Sequence, residues 1–483
     1  MGLGQLVRRW GLALVLAAMA LVSWQAAEQR DTDDVALVRI DYEQSLATSM
    51  LSARRIPRTL QAPVVDAKLR PSIELLVNGS PPNSCLMVQA DDRVLPPSSN
   101  PSQGLVPASN QKVLTTHVAL ALLDHDFQYE TSLESPVTPS AGVIDGDVYL
   151  IGSGDPFLST EEWWSQYEIT DGRFHTRLED LADAVVANGV TTITGQLIGD
   201  ESLFDSIRLG PWDDRLVAGK QSGPLSALTV NEGFIDWPSV YADSSRLRKE
   251  TNDPPRHAVT VLSQLLQERG LSIGGIGTGL APDATITVAS IMSPPLSDIV
   301  THINSYSSNM GAELLLKRVG LARAGTGSTP AGAGVVIEVL AEQGVPTEGL
   351  IVDDGSGLAE SNRLTCQAMS AILSNTGADS VLGQSLAIGA ERGSLLNRFV
   401  DTPAAGAIQA KTGTLNDATA LSGFVRSANT DDVYLTFSYL ANAEFIITDE
   451  AVRGLQDEFV VALTSFPGLP RLETLSPLDP VEG

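Results

Sequence analysis

Three short segments combine residues able to break an acyl bond: Ser109-Asn110-Gln111-Lys112, Ser307-Ser308-Asn309 and Lys411-Thr412-Gly413. They form a Ser-x-x-Lys, Ser-x-Asn, Lys-Thr-Gly set, the pattern of serine acyl-transfer chemistry in which lysine stands where other hydrolases use histidine. The chain has only six lysines, Lys68, Lys112, Lys220, Lys249, Lys317 and Lys411, and two fall inside the set. Each segment alone has a plainer explanation, such as a helix-capping serine beside an exposed lysine or a strand with a surface lysine. Their order, separation and local context favour chemistry.

The elements around them must place the side chains. Pro107 and Ser109 precede the apolar run Val118 to Leu123, which predicts a helix with Ser109 in its first turn. Residues three apart share a helix face, so the Lys112 amine reaches the Ser109 hydroxyl. The helix N-terminus favours an alkoxide and offers a backbone N–H to an oxyanion. An amine accepts a proton only when neutral, so Lys112 must titrate well below about 10.4. Burial lowers it, and Lys411 as a second cation would lower it further.

Ser307-Ser308-Asn309 opens the apolar stretch Met310 to Leu316, so its polar groups project from a helix start. Ser307 can relay a proton between Lys112 and a leaving group, and Asn309 can hold Lys112 and a substrate carbonyl. Lys411-Thr412-Gly413-Thr414 sits among small and β-branched residues broken by Asn416-Asp417, the pattern of antiparallel strands. Lys411 and Thr412 can bind a carboxylate, Gly413 lets a substrate backbone lie close, and the Thr414 N–H can complete an oxyanion hole with that of Ser109.

With Tyr149 to Pro156, Gly223 to Leu228, Asp354-Gly355-Ser356-Gly357-Leu358 and Arg392-Gly393-Ser394-Leu395, the sequence resembles the low-molecular-mass class C penicillin-binding proteins over residues 63–465. These are D-alanyl-D-alanine carboxypeptidases and endopeptidases of bacterial cell walls. The resemblance implies Ser109 as nucleophile, Lys112 as base, Ser307 and Asn309 as relay and positioning pair, and Lys411 with Thr412 as carboxylate site. It implies peptidoglycan stem peptides as substrates, β-lactam antibiotics as covalent inhibitors, and no cofactor. Asp200 and Phe204 fall where such proteins have a side-chain pocket, although a helix cap and a core aromatic explain them too. A non-catalytic receptor for β-lactams or stem peptides, or a β-lactamase or esterase, would use the same scaffold.

Two departures stand out. Asn231 leads within a short distance to a helical segment, His257 to Gly270, so a subdomain usual in such proteins is shortened or absent. After Asp-Gly-Ser-Gly-Leu, where a serine and a basic residue are usual, the chain has Ala359-Glu360. Glu360 should therefore disfavour a free carboxylate on the third residue of the stem.

The expected fold is a multidomain α/β protein. A penicillin-binding, transpeptidase-like domain of antiparallel sheet flanked by helices spans 63–132 and 285–470, with a mixed α/β domain inserted at 133–284. Residues 29–62 read as linker and 471–483 as a disordered tail. Arg8-Arg9 before the apolar run Gly11 to Val22 mark residues 1–28 as a signal peptide, with Ala18-Met19-Ala20 as a cleavage site, or as an uncleaved anchor. Either places the protein outside the cytoplasm, periplasmic or otherwise extracytoplasmic, with no other attachment to a membrane.

At 483 residues and 43% hydrophobic the chain has ample core, and a net charge of -27 argues against nucleic acid as a partner. The five histidines show no metal-ligand spacing, which disfavours a zinc peptidase. Gly152-Ser153-Gly154 lacks the spacing of a Gly-x-Ser-x-Gly elbow. Cys85 and Cys366 are the only cysteines; an exported chain can pair them, and two free, buried thiols are the alternative.

Overall fold

The computed structural model describes residues 58–90, 93–167, 174–238, 245–428 and 433–467. The expected export signal, most of the linker, the Asp91-Asp92 turn and the tail lie outside the described residues. In chain order the elements that matter here are helix α1 (Arg58–Gly79), strands β1 (Asn83–Ala90) and β2 (Arg93–Val94), helix α2 (Gln111–Leu123), and strands β3 (Glu130–Ser135) and β4 (Val148–Ile151). Helix α3 (Leu178–Ala187), strand β5 (Thr192–Asp200), helix α4 (Pro254–Glu268), and strands β6 (Ser272–Thr278) and β7 (Ile286–Met292) follow. Then come helices α5 (Leu296–Tyr306), α6 (Asn309–Ala324), α7 (Thr329–Glu342) and α8 (Cys366–Thr376). Strands β8 (Ala387–Ile388), β9 (Ile408–Leu415), β10 (Ala418–Arg426) and β11 (Tyr434–Asn442) and helix α9 (Glu450–Thr464) complete the set.

One antiparallel sheet runs β8-β9-β10-β11-β1-β2. Its central strands bury both faces, and side chains of alternate parity enter different cores. On β10, Ala420 and Phe424 join α2, α5, α6, α7 and α8 on one face. Leu421 and Val425 join Leu69 and Ile73 of α1 and Phe459 and Val460 of α9 on the other. Cys85 of β1 and Cys366 at the start of α8 form a disulfide with Cα atoms 5.9 Å apart. Neither thiol is free; the bond ties the sheet to its helical layer.

A second, mixed sheet runs β6-β5-β4-β3-β7. β5 lies parallel to β4 and β6, while β3 is antiparallel to both β4 and β7. Leu181 and Val185 of α3 and Val259, Leu262 and Leu266 of α4 pack on it. The segment expected as helix from His257 begins three residues earlier, at Pro254, capped by the Asp253 carboxylate on the Arg256 N–H. β3 and β7 pair with each other, so the chain enters and leaves this sheet on neighbouring strands. The sequence boundary at 133 cuts β3 and the one at 284 stops just short of β7.

Candidate active site

The chain reaches α2 through a 3-10 turn, Ala108–Asn110, so Ser109 stands just before the α-helix rather than within its first α turn. Ala108 has φ 47, a left-handed conformation uncommon for a residue with a Cβ. Two neighbours fix it. Gly357 has φ +84, and a Cβ there would lie 1.9 Å from the Ala108 carbonyl oxygen. From the other side Asn110 Nδ2 donates to the Lys411 carbonyl at 3.0 Å. A Cβ on Gly413 would lie 2.7 Å from Pro107 O and 3.1 Å from Asn110 Nδ2. Glycine at 413 is thus required by the close approach of β9 to the Ser109 turn, inside the protein, a reason separate from the expected approach of a substrate backbone.

Lys112 is fully buried. Its Nζ lies 2.9 Å from Ser109 Oγ, 2.8 Å from Asn309 Oδ1 and 2.7 Å from the Ser356 carbonyl. Burial lowers its pKa to about 7, against the opposing pull of the Asp354 and Glu313 carboxyls. Lys411 is also fully buried, and its pKa falls well below the usual lysine value through burial and then the charge of Lys112, so the two amines oppose each other's protonation.

Lys411 Nζ lies 3.0 Å from Ser307 Oγ. Ser307 ends α5 in the left-handed region, φ 62 and ψ 38, and Ser308 caps α6 by accepting from Gly311 N. That sharp change of direction aims Ser307 at Lys411 and Asn309 at Lys112. Asn309 Nδ2 donates to the Gln221 carbonyl at 2.7 Å, which orients its amide oxygen toward the amine. Thr412 Oγ1 donates to Ser394 Oγ at 2.8 Å.

A cavity of about 370 Å³ gathers Ser109, Ser307, Asn309, Thr412 and Thr414, with Arg215, Gln221 and Leu358 among its other walls. Five of the residues singled out in the sequence thus share one opening, and Lys112 and Lys411 stand behind it. Asp200 and Phe204 line a different cavity with Glu130 and Leu321. Asp200 accepts from Ser202 N, in a turn, and from Ala281 N, and Phe204 is buried against Gly154 and Gly327. Glu360 bonds to Arg215, and it is Arg215 that faces the Ser109 cavity.

Motif reading missed Gln221, Ser356, Ser394 and Glu313. Ser356 and Ser394 lie in the secondary signatures, but their roles depend on contacts between distant segments. Glu313 had a local signal: it follows Asn309 by one helical turn and shares its face. The two Glu313 oxygens differ, with Oε1 accepting from Ser356 N at 2.8 Å and Gly355 N at 3.2 Å.

The class that the fold and site define is a lysine-assisted serine hydrolase. The profile of the D-Ala-D-Ala carboxypeptidase 3 (S13) family matches residues 92–246 and 237–465. The chain therefore belongs to that family and is a serine DD-peptidase, as the motif resemblance implied. It is 28% identical to the D-alanyl-D-alanine carboxypeptidase of Actinomadura sp. (strain R39), covering 77% of this chain and 79% of that one. It is 29% identical to carboxypeptidase DacB of Mycolicibacterium smegmatis, over 70% and 71% of the two chains. The crystal structure of penicillin binding protein 4 (dacB) from Haemophilus influenzae shares the fold. Its TM-score is 0.68 at 21% identity, and the match covers 80% of this chain and 97% of that one. That protein has also been solved with a β-lactam bound.

Proposed function

We propose that the chain hydrolyses the D-Ala-D-Ala end of peptidoglycan stem peptides through an acyl-enzyme on Ser109. One observation carries this reading: a serine hydroxyl lies 2.9 Å from a buried lysine amine that titrates near neutrality, at the wall of an open cavity. Neutral Lys112 takes the Ser109 proton as Oγ attacks the carbonyl carbon between the two D-alanines. The N–H groups of Ser109 and Thr414 receive the oxyanion. Collapse breaks the C–N bond, and Ser307 passes the proton from Lys112 to the leaving nitrogen. Lys411 and Thr412 hold the terminal carboxylate, and Asn309 keeps Lys112 aligned. Water then cleaves the ester, activated through Ser307 and Lys112, and releases the stem shortened by one D-alanine.

β-Lactams would acylate the same serine, in keeping with the β-lactam complex of the Haemophilus relative. The same chemistry on a D-amino-acid cross-link would make the enzyme an endopeptidase. Residues 63–132 and 285–470 would form the catalytic domain, with 133–284 inserted. The leader, Arg8-Arg9 before Gly11 to Val22, and the Cys85–Cys366 disulfide both fit an exported, extracytoplasmic protein. Among the described residues no helix is long and apolar enough to cross a membrane; the anchor we propose as the alternative to a cleaved leader is residues 1–28.

Incubating purified protein with a fluorescent penicillin and with a D-Ala-D-Ala peptide tests the reading, with adduct mass and released D-alanine as readouts. We expect a penicilloyl adduct on Ser109 and steady D-alanine release. An adduct lost within seconds would mean a β-lactamase, and a stable adduct with no D-alanine release would mean a receptor.

A further inference from the structure

Behind Lys112 sits a carboxyl that the proposed steps do not use. Glu313 is fully buried on α6, one turn beyond Asn309. Its Oε1 accepts from the Gly355 and Ser356 amides, while its Oε2 receives no full hydrogen bond, the Ser356 hydroxyl acting on the carboxyl but donating to Asp354. The Ser356 carbonyl, on the same stretch of backbone, accepts from Lys112 Nζ. Glu313 thus grips the loop that grips the amine.

Its charged neighbours are few. Asp354, on the same loop, is saturated by Gly357 N, Ala359 N, Asn362 Nδ2 and Trp212 Nε1 at 2.7 to 3.1 Å. Lys112 faces Glu313 from α2 but spends its bonds on Ser109, Asn309 and Ser356 and makes no ion pair with it. Lys317, a turn further along α6, is bonded to Asp205. A carboxylate here would be buried, half unpaired and beside a second acid. Such a group takes up a proton rather than bear the cost of isolated charge.

We propose that Glu313 is a positioning residue held as the neutral acid, so that the loop carrying Ser356 is fixed without a second anion that would return Lys112 to its ammonium form. This rests on Lys112 being the base. Burial and the nearby Asp354 push the Glu313 pKa up to about 8, against the pull of the Ser356 hydroxyl and the two amides. Lys112 and Glu313 therefore titrate as linked groups, a charge on the acid acting on the amine. A carboxylate at this point would raise the lysine and move the acid limb of acylation upward.

Glu313→Gln keeps an oxygen for the two amides and is permanently neutral. We expect its acylation rate by penicillin to stay within about threefold of wild type, and the acid limb of its pH profile within about 0.3 unit. Glu313→Leu lacks the acceptors and should lose at least about 100-fold in acylation while still unfolding cooperatively. Infrared difference spectra of wild type against Glu313→Gln should show the C=O stretch of a protonated acid at pH 7. A downward shift of the acid limb by a unit or more in Glu313→Gln, or no protonated-acid band, would overturn the proposal. The infrared readout needs no catalysis and survives if Lys112 is not the base. Failure of Ser109 labelling in wild type would instead sink the functional reading.

Discussion

The helix end of the site and its strand end each bury a lysine completely, yet only one of them has carboxyls behind it. Lys112 on α2 is pulled down by burial and back up by the Asp354 carboxylate, with Glu313 adding to that pull only when ionised, which leaves it near 7. Lys411 on β9 has burial and the charge of Lys112 acting in the same direction, with no carboxyl opposing them. Opposed influences tune a group to a working pH, as a proton acceptor needs. Unopposed ones leave a cation site short of its anion. An incoming carboxylate would supply what the protein withholds from Lys411.

The sharpest break in this comparison is at the serine. Ser109→Ala removes one hydroxyl from a turn already fixed by Gly357 and Gly413, so the fold should survive. Covalent labelling by penicillin should fall by at least about 10³-fold, read by adduct mass after extended incubation. Labelling of the mutant at the wild-type rate would remove Ser109 from the chemistry.

Next come the lysines themselves. Lys112→Arg keeps the charge but cannot offer a neutral nitrogen near pH 7, so acylation should drop by about 10² to 10⁴. Lys411→Arg keeps a cation for the carboxylate and should weaken binding of a D-Ala-D-Ala peptide by roughly tenfold, with a smaller loss in the acylation step. Single-turnover kinetics separate the two. Equal loss of acylation in both mutants with unchanged binding would erase the difference drawn between the two ends.

The pH dependence follows from the same contrast. With Lys112 lowered to about 7, the amine is neutral above that pH and ammonium below it. Acylation should therefore level off above about pH 7 and fall tenfold per unit on the acid side. Binding of a terminal carboxylate should go the other way, because the anion raises the depressed Lys411 and draws a proton onto it. Calorimetry in buffers of different ionisation heat should show proton uptake on binding a D-Ala-D-Ala peptide, and affinity that weakens as pH rises.

How far these contrasts were legible in sequence depends on distance along the chain. The Ser-x-x-Lys pair is local, three residues on one helix, so its contact followed from spacing alone. The small and β-branched residues around Asn416-Asp417 likewise announced antiparallel strands, but not that both faces of their sheet are buried. Ser356, Ser394 and Gln221 act through backbone or hydroxyl contacts to segments far away in the chain, which no periodicity encodes. The Lys411 reading had the right pair of cations, but sequence does not show that carboxyls stand beside Lys112 and none beside Lys411. Asp200 and Phe204 do not line the Ser109 cavity for a related reason: they lie at and beyond the end of β5, which opens on another cavity.

The smallest expected effect concerns the rim, where sequence showed one residue and the structure supplies its partner. Glu360 alone would repel an acidic stem, but its carboxylate bonds to Arg215, which also lies 3.4 Å from Asp213. Arg215 faces the Ser109 cavity, so an approaching stem carboxylate meets a cation whose charge is largely answered. Both side chains are more than a third exposed, and screening keeps such pairs weak. Wild type should therefore turn over matched acidic and amidated stems within about threefold of each other. Glu360→Gln frees Arg215 and should tilt the ratio toward the acidic stem, and Arg215→Gln should tilt it toward the amidated one. Both shifts should stay within about threefold and fade at high salt, where the Debye length shrinks to about 3 Å. A tilt of Glu360→Gln toward the amidated stem would show that Arg215 does not face the substrate, and would leave Lys411 as the only cation that reads its charge.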